Sequence, residues 1–392
     1  MNKIKVALLG GYPLDSDNLR GGVQAAVSYL IKGLSRLDGL ELHALVMRPM
    51  GWQGTNKIDQ NGVKVHLIPP YPRYERLRNY RLYQSAVDEA LSVIQPDIVH
   101  AQEAGAEAFV ALRSGFPTVV TAHGIRAEDS KYIASLPRRF RFYFDSYLTE
   151  RSVIKRVKYL VAISQYVTNY FSSQFRTDID IRYIPNAVED RFFDEFNLDL
   201  HTNTLFVGRV IALKQVHNLI KAFEMVYLEI PHARLRIAGE ISSEPEYVRS
   251  LRTQIQQTGL EDRIHLLGQL NQAELLQEYR NSAMVVLPSA QENYPMVLAQ
   301  AMAVGKPIIA SRVGGVPEML GENGERGLLI NVGDVNGLSA SIKNLLINPE
   351  RGYLMGQTSH EYALKNFHPN QVAQHTFNFY QYIYEKENRK HE

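Results

Sequence analysis

Met284–Glu318 reads MVVLPSAQENYPMVLAQAMAVGKPIIASRVGGVPE, and its punctuation decides the fold. Met284 to Leu287 is an apolar run of strand length. Pro288 to Asn293 is a polar turn. The spacing then predicts a helix from about Pro295 to Val304, stopped by Gly305, and Pro307 opens a second apolar run. Proline at the start of a helix and glycine just past its end is the usual asymmetry. Strand, loop, helix, strand is one βαβ unit of a parallel sheet. Open sheets of this kind bind ligands in the loop between a strand's C-terminal end and the next helix. The unpaired amides at that helix N-terminus favour anions, phosphate above all.

The same alternation runs outward in both directions. Upstream lie Thr204 to Arg209, with Lys214 five residues beyond the arginine, then Arg234 to Ala238 followed by Gly239-Glu240, and Ile264 to Leu267 followed by Gly268. Downstream lie 307–310 and 327–330, which makes six parallel strand candidates, and helical patterns over 334–347 and 349–366. The first half carries strand patterns at Ile4–Leu9, Leu42–Val46, Val63–Ile68, Ile98–Ala101, Val119–Ala122 and Tyr159–Ile163. After the first of these come Gly10-Gly11, then Gly21-Gly22 ahead of a helix over Val23–Leu37. No G-x-G-x-x-G is present, so a dinucleotide cofactor is not supported. The polar, acidic stretch Asn186–His201 separates the halves. We expect an N-terminal domain over 1–190, a C-terminal domain over 191–369, and a last segment, 370–392, that packs back on the first domain.

The chain has 392 residues, 45% hydrophobic and 21% charged, as an ordinary globular protein of two domains would have. It has no cysteine, so neither disulfides nor thiolate metal sites. The apolar run Val6–Leu9 is too short for a signal-peptide core, and no run approaches transmembrane length. Cytoplasmic placement is the expectation. The net charge of +2 hides an asymmetry: residues 1–185 carry 24 Lys+Arg against 17 Asp+Glu, and the remainder 19 against 24. Halves of opposite sign meet different partners or attract one another.

Beside the stretch quoted first stand motifs that make it specific. Glu292 is followed by Ala301-Met302-Ala303-Val304-Gly305-Lys306-Pro307, then Gly314-Gly315-Val316-Pro317-Glu318 and Gly327-Leu328-Leu329. Together they resemble the signature of the GT4 "glycosyl transferases group 1" family: retaining, nucleotide-sugar-dependent enzymes of the GT-B fold. The family's second acidic position is Gln300 here. The resemblance implies an α/β protein of two doubly wound, Rossmann-like parallel-sheet domains facing each other across a cleft. Arg209 and Lys214 match a Gly-Arg-x4-Lys element that clamps the donor diphosphate, with Tyr294, Pro295, Met296 and Val297 as further diphosphate contacts. Gly239, Glu240, Leu267, Gly268 and Gln300 would meet the nucleoside. Gly21 and Gly22 would let the backbone approach the donor phosphates or the acceptor. Glu292 and His123 are the implied catalytic residues: Glu292 on the sugar, His123 beside the reacting carbon. Cations suit a departing diphosphate, whose charge develops as the bond breaks.

The implied partners are a nucleotide-sugar donor and a sugar, glycan or lipid-linked acceptor, with no nucleic acid, no metal and no other cofactor. Asp15-Ser16-Asp17 and Asp178-Ile179-Asp180 have the spacing of a divalent-cation pair but not its context, and read as solvated surface. Two basic-aromatic segments, Arg73–Arg81 and Arg138–Phe144, suit either an ordinary amphipathic packing or an anionic bilayer surface. Peripheral contact with the inner face of a membrane is the expectation they carry. Two other functions stay open: a non-catalytic nucleotide-sugar binder, motivated by Gln300, and a nucleotide-sugar 2-epimerase on the same scaffold.

Overall fold

The protein is described by a computed structural model covering residues 3–15, 19, 21–53, 57–60, 62–72, 75–132, 136–194, 196 and 202–389. It comprises two compact units. The first holds the N-terminal strand, Val23–Ala187 and the C-terminal segment from Pro369. The second holds Val188–His368, together with Gly21 and Gly22.

The first unit is built on eight strands: β1 (Ile4–Leu9), β2 (Leu40–Met47), β3 (Lys57–Gln60), β4 (Val63–Ile68), β5 (Ile98–Gln102), β6 (Thr118–Ala122), β7 (Tyr159–Ala162) and β8 (Asp180–Tyr183). Their order is β3-β4-β2-β1-β5-β6-β7-β8. All pairs are parallel except β3 with β4, where Ile58 faces Val65. In the sheet centre Val6 faces Leu42 on one side and Ile98 on the other. Val6 to Leu9 are buried, as in β5, β6 and β7. Helices cover both faces, so these strands read as unbroken apolar runs rather than alternating ones. β3 and β8 escape the sequence reading because they are short, charged edge strands that bury no full face.

The second unit has six strands: β9 (Asn203–Val207), β10 (Arg234–Ala238), β11 (Ile264–Gly268), β12 (Met284–Leu287), β13 (Ile308–Ser311) and β14 (Leu328–Ile330). All are parallel, in the order β11-β10-β9-β12-β13-β14. The chain winds one way through β9, β10 and β11, then resumes on the other side at β12. The order therefore reverses between β9 and β12, and that crevice is where doubly wound sheets take ligands. In the first unit the same reversal falls between β1 and β5.

The helix Met296–Val304 is buried along nearly all of its length, Gln300 included. Its small residues and the following Gly305-Lys306-Pro307 serve packing. Gly305 has φ +77°, and a Cβ there would lie 2.4 Å from the Phe196 ring. On the neighbouring helix Pro349–Asn366, a Cβ at Gly356 would lie 2.0 Å from Gly305 O. Two backbones approach where only glycine fits. Pro295 stands one position earlier than the sequence predicts: it is the extended N-cap, with φ −72° and ψ 124°.

The C-terminal helix Pro369–Asn388 packs on the first unit. A Cβ at Gly33 would fall 2.5 Å from Pro369 O, so glycine sets that approach. Deeper in, Tyr380 Oη lies 2.5 Å from His100 Nδ1, and His100 Nε2 lies 2.6 Å from Thr121 Oγ1. Lys386 Nζ donates to Asp180 at 2.7 Å.

Candidate functional site

At the switch point of the second unit, two loops meet. The loop after β9 runs through Gly208 and Arg209 into a turn, Ala212–Lys214. The loop after β12 runs from Pro288 to Pro295. Ala290 N donates to Leu213 O at 2.8 Å and ties them together. The side chains then converge. Lys214 Nζ lies 2.5 Å from Glu292 Oε1, and Ser289 Oγ donates to the same oxygen at 2.7 Å. Glu292 is only 8% exposed. A carboxylate so far from water needs its cation: removing one partner of a buried pair leaves the other uncompensated. The sequence places these residues 78 apart, so their pairing is a finding of the fold. Arg209 is exposed at the mouth of the same loop.

Three further features shape this edge. No side chain caps the helix Met296–Val304, so its leading amides, those of Met296 and Val297 first, lack the usual acceptor. Tyr294 is buried against Phe367, and burial pushes its phenol well up. The Gly314-Gly315 pair lies against the Glu292 loop: Gly315 N donates to Asn293 O at 3.0 Å, and a Cβ on Gly314 would lie 1.6 Å from Glu292 O. The pair thus supports the backbone that carries Glu292.

The proposed nucleoside residues sit on the adjoining strand ends. Gly239 has φ +146°, and its Cβ would lie 1.8 Å from Gly208 O. Gly239 N donates to Gly268 O, joining the ends of β10 and β11 where the ladder shifts register. Leu267 and Gly268 are half-buried there. The Glu240 carboxylate accepts from Ser242 and Ser243. Burial pushes its pKa up, but these hydrogen bonds outweigh that and leave it lowered. Gln300 is buried, and its Oε1 accepts from Tyr279 Oη at 3.2 Å. That amide is engaged from within the unit. Gly21 and Gly22 cluster with the second unit, where a Cβ on Gly22 would lie 3.4 Å from Met296 Cγ.

His123 follows β6 in the first unit. Its Nε2 donates to Gln102 Oε1 at 2.9 Å, given the tautomer this pairing requires. Nδ1 is buried, without a hydrogen bond among the described residues. Burial drives its pKa down to about 4, against a smaller upward pull from Asn186. The ring is therefore neutral near pH 7. A cavity of about 20 Å³ adjoins it, lined also by Gln102, Asn186, Thr121 and His100. This is room for one water molecule.

Sequence reasoning missed a charged cluster beside it. Glu103, in a left-handed conformation at φ +83°, directly follows β5 and opens the turn there. Its Oε2 lies 3.7 Å from Arg126 Nη1. Burial raises the pKa of Glu103 and of Glu107, and Arg126 pulls both partly back. The signal was available: Gln102-Glu103 directly follows a strand at the ligand edge. Asp178 pairs with Arg176, and Asp180 accepts from Lys386. Ser16 and Asp17 of the other Asp-x-Asp triplet lie outside the described residues. Among the described residues no group of three or more His, Asp or Glu side chains is arranged to hold a metal ion.

His100 gives a pH prediction. Burial pushes its pKa down to about 3, while an unfolded chain protonates histidine below about 6.5. Between those values the unfolded state binds more protons, so stability contributed by neutral His100 falls as pH drops through 6.5 toward 3. Glu103 and Glu107, with raised pKa values, act with the opposite sign. The contribution is isolated by difference. Urea unfolding at pH 4.5, 5.5 and 7.5 should show a His100→Asn variant losing less stability on acidification, by up to about 1.4 kcal/mol per pH unit. Parallel curves would remove His100 as the source.

Residues 190–361 match the family model for glycosyl transferases group 1, and residues 20–192 match that for glycosyltransferase family 4. N-acetyl-alpha-D-glucosaminyl L-malate synthase of Bacillus anthracis is 28% identical over 249 residues, which span 60% of this chain and 63% of that one. Less than two thirds of that relative's length is therefore matched. The structure of sucrose-phosphate synthase from Thermosynechococcus elongatus superposes with a TM-score of 0.80 at 21% identity, over 98% of this chain and 100% of the other. Anabaena HepE in complex with UDP-glucose gives a TM-score of 0.71 at 19% identity, over 98% and 100%. At such identities the likeness shows the fold, the two-unit GT-B architecture.

Proposed function

We propose, from the premise that the chain belongs to the glycosyl transferases group 1 family, that it moves a sugar from a nucleoside-diphosphate sugar to a hydroxyl acceptor with retention at the anomeric carbon. The observation that carries this is the Lys214–Glu292 pair at the switch point of the second sheet. Lys214, with Arg209, supplies positive charge where the diphosphate departs. The first amides of the helix Met296–Val304 supply partial positive charge there at no reorganisation cost. Glu292 fixes the lysine and presents its second oxygen to sugar hydroxyls. In the transfer the bond from the anomeric carbon to the diphosphate oxygen breaks. The bond to the acceptor oxygen forms, and the acceptor proton passes to the leaving diphosphate. The balance needs no metal and no redox cofactor.

HepE, which shares the fold, holds UDP-glucose, and this supports a nucleotide-sugar donor. The acceptor is read as a sugar, glycan or lipid-linked hydroxyl in cell-surface glycan synthesis on the cytoplasmic side. The test is a thermal-shift screen with UDP-, GDP- and ADP-sugars, followed by measurement of nucleoside-diphosphate release. One donor class should raise Tm, since a ligand that binds only the folded state stabilises it by mass action, and that donor should turn over. Shifts with no release in the presence of any hydroxyl acceptor would select a nucleotide-sugar binder. The buried, neutral Gln300 at the family's acidic position motivates that second reading.

A further inference from the structure

The helix Leu136–Ile154 in the first unit carries an apolar row on its outer side as well as its inner one. Its inner face mixes polar and apolar groups: Ser146, Thr149, Glu150, Val153 and Ile154 are buried, and Tyr143 and Tyr147 pack against the core. Glu150 accepts from Arg126 N at 2.7 Å and from Ala127 N at 3.3 Å, which fixes this face against the unit. Successive residues on a helix are separated by about 100°, so positions 136, 140, 144 and 148 lie on the side away from Ser146, Thr149 and Glu150. Those positions hold Leu136, Phe140, Phe144 and Leu148, which are 59, 61, 56 and 50% exposed. Four large apolar side chains at a spacing of four form one stripe in solvent. An ordinary core-facing helix keeps its outer face polar.

The stripe has an extension. Arg76 Nη1 donates to Phe144 O at 3.3 Å, bringing the turn Glu75–Arg78 alongside. That turn presents Leu77, 87% exposed. The charge around this patch is one-sided. Beside it the segment 75–82 carries Arg76, Arg78 and Arg81 against Glu75, which is buried. Arg78, Arg81 and Arg141 are exposed. Among the described residues no helix is long and apolar enough to cross a membrane.

We infer that this face is a docking surface for an anionic lipid bilayer, on which Phe140, Phe144 and Leu77 enter the headgroup region while the arginines meet lipid phosphates. A flat apolar row flanked by cations is what interfacial binding requires: apolar area for insertion and positive charge for anionic lipid. Surface charges alone would give weaker, salt-screened attraction. The inference deepens the transferase reading by bringing the enzyme to a lipid-borne acceptor, but the binding is tested without turnover.

The experiment is co-sedimentation of the full chain with vesicles of pure phosphatidylcholine and of phosphatidylcholine containing phosphatidylglycerol. Thermal unfolding and light scattering are run on the same samples. Wild type should partition at least tenfold more onto the anionic vesicles, and less at high salt. Phe140→Ser with Phe144→Ser should lower that partitioning at least tenfold at unchanged Tm. Arg78→Gln with Arg81→Gln should remove most of its salt dependence. Equal partitioning of wild type on both vesicles, or an unaffected serine variant, would overturn the inference. So would a wild-type oligomer that the serine substitutions dissociate without any vesicle binding, because the stripe would then be a protein interface. Donor hydrolysis measured without vesicles reports separately on the transferase reading.

Discussion

Replacing Lys214 by alanine should slow transfer by roughly 10²-fold or more, the scale of losing one preorganised charge at a developing anion. The structure adds a second reason. Glu292 Oε1 sits 2.5 Å from the ammonium and is buried. With the lysine gone, the carboxylate keeps the Ser289 hydroxyl but loses the counter-charge at its Oε1, which is costly for a buried group. Part of the lost rate then arises from a Glu292 that moves. A double-mutant cycle separates the two effects. Glu292→Gln alone should lower kcat strongly, since its second oxygen is the group assigned to the sugar. Lys214→Ala with Glu292→Gln should cost much less than the product of the single losses, because two residues that act as a unit are not additive. The measurement is kcat and kcat/KM for each variant with the donor found by thermal shift. Additive losses would mean that the pair acts as two independent contacts. A folded Lys214→Ala enzyme with wild-type kinetics would end the diphosphate assignment.

How much of this was legible in the sequence depends on what each residue advertises. The strands β4, β10 and β12 stand at the residues the apolar runs indicate, because a strand buried on both faces leaves no alternation to misread. The edge strands β3 and β8 were invisible, since burial, the property that marks a strand, is what an edge lacks. Arg209, Lys214 and Glu292 could be named from motifs, yet nothing in their spacing said that Lys214 and Glu292 touch. That contact is made by the switch point, which joins the loops after β9 and β12. Gln300 is another case: the resemblance offers it as a nucleoside contact, and its burial and the hydrogen bond its carbonyl accepts from Tyr279 are set by packing that its place in the sequence does not reveal. The basic-aromatic run 138–144 was open to amphipathic packing and to lipid. The structure adds that positions 136, 140, 144 and 148 are exposed, which periodicity does not say, because it reports a face without saying which way it points.

The Gly314-Gly315 pair carries the other large effect, and it reads out the support of the site rather than its chemistry. Gly314 has φ +52°, and a Cβ there would stand 1.6 Å from the carbonyl oxygen of Glu292. Neither problem can be relieved by a side-chain rotation, since the obstructing atom is backbone. Alanine at 314 must push the 288–295 loop away or leave the left-handed region, which itself costs a non-glycine residue about 1 kcal/mol or more. Gly333 is the control. It has φ +78°, but a Cβ there would meet nothing within 4 Å, so Gly333→Ala pays the conformational term alone. We expect Gly333→Ala to lower Tm by about 2–4 °C, the shift that roughly 1 kcal/mol produces in a unit of this size, with kcat unchanged. Gly314→Ala should lower Tm further and reduce kcat by at least about tenfold, because displacing a reacting-end contact by an ångström is enough for losses of that order. Thermal unfolding and steady-state kinetics on the two variants decide the matter. If Gly314→Ala behaves like Gly333→Ala in both, the loop after β13 does not hold Glu292 in place. If it loses stability but keeps kcat, the glycine pair serves packing alone, and the position of Glu292 is set from the β9 side, through Lys214.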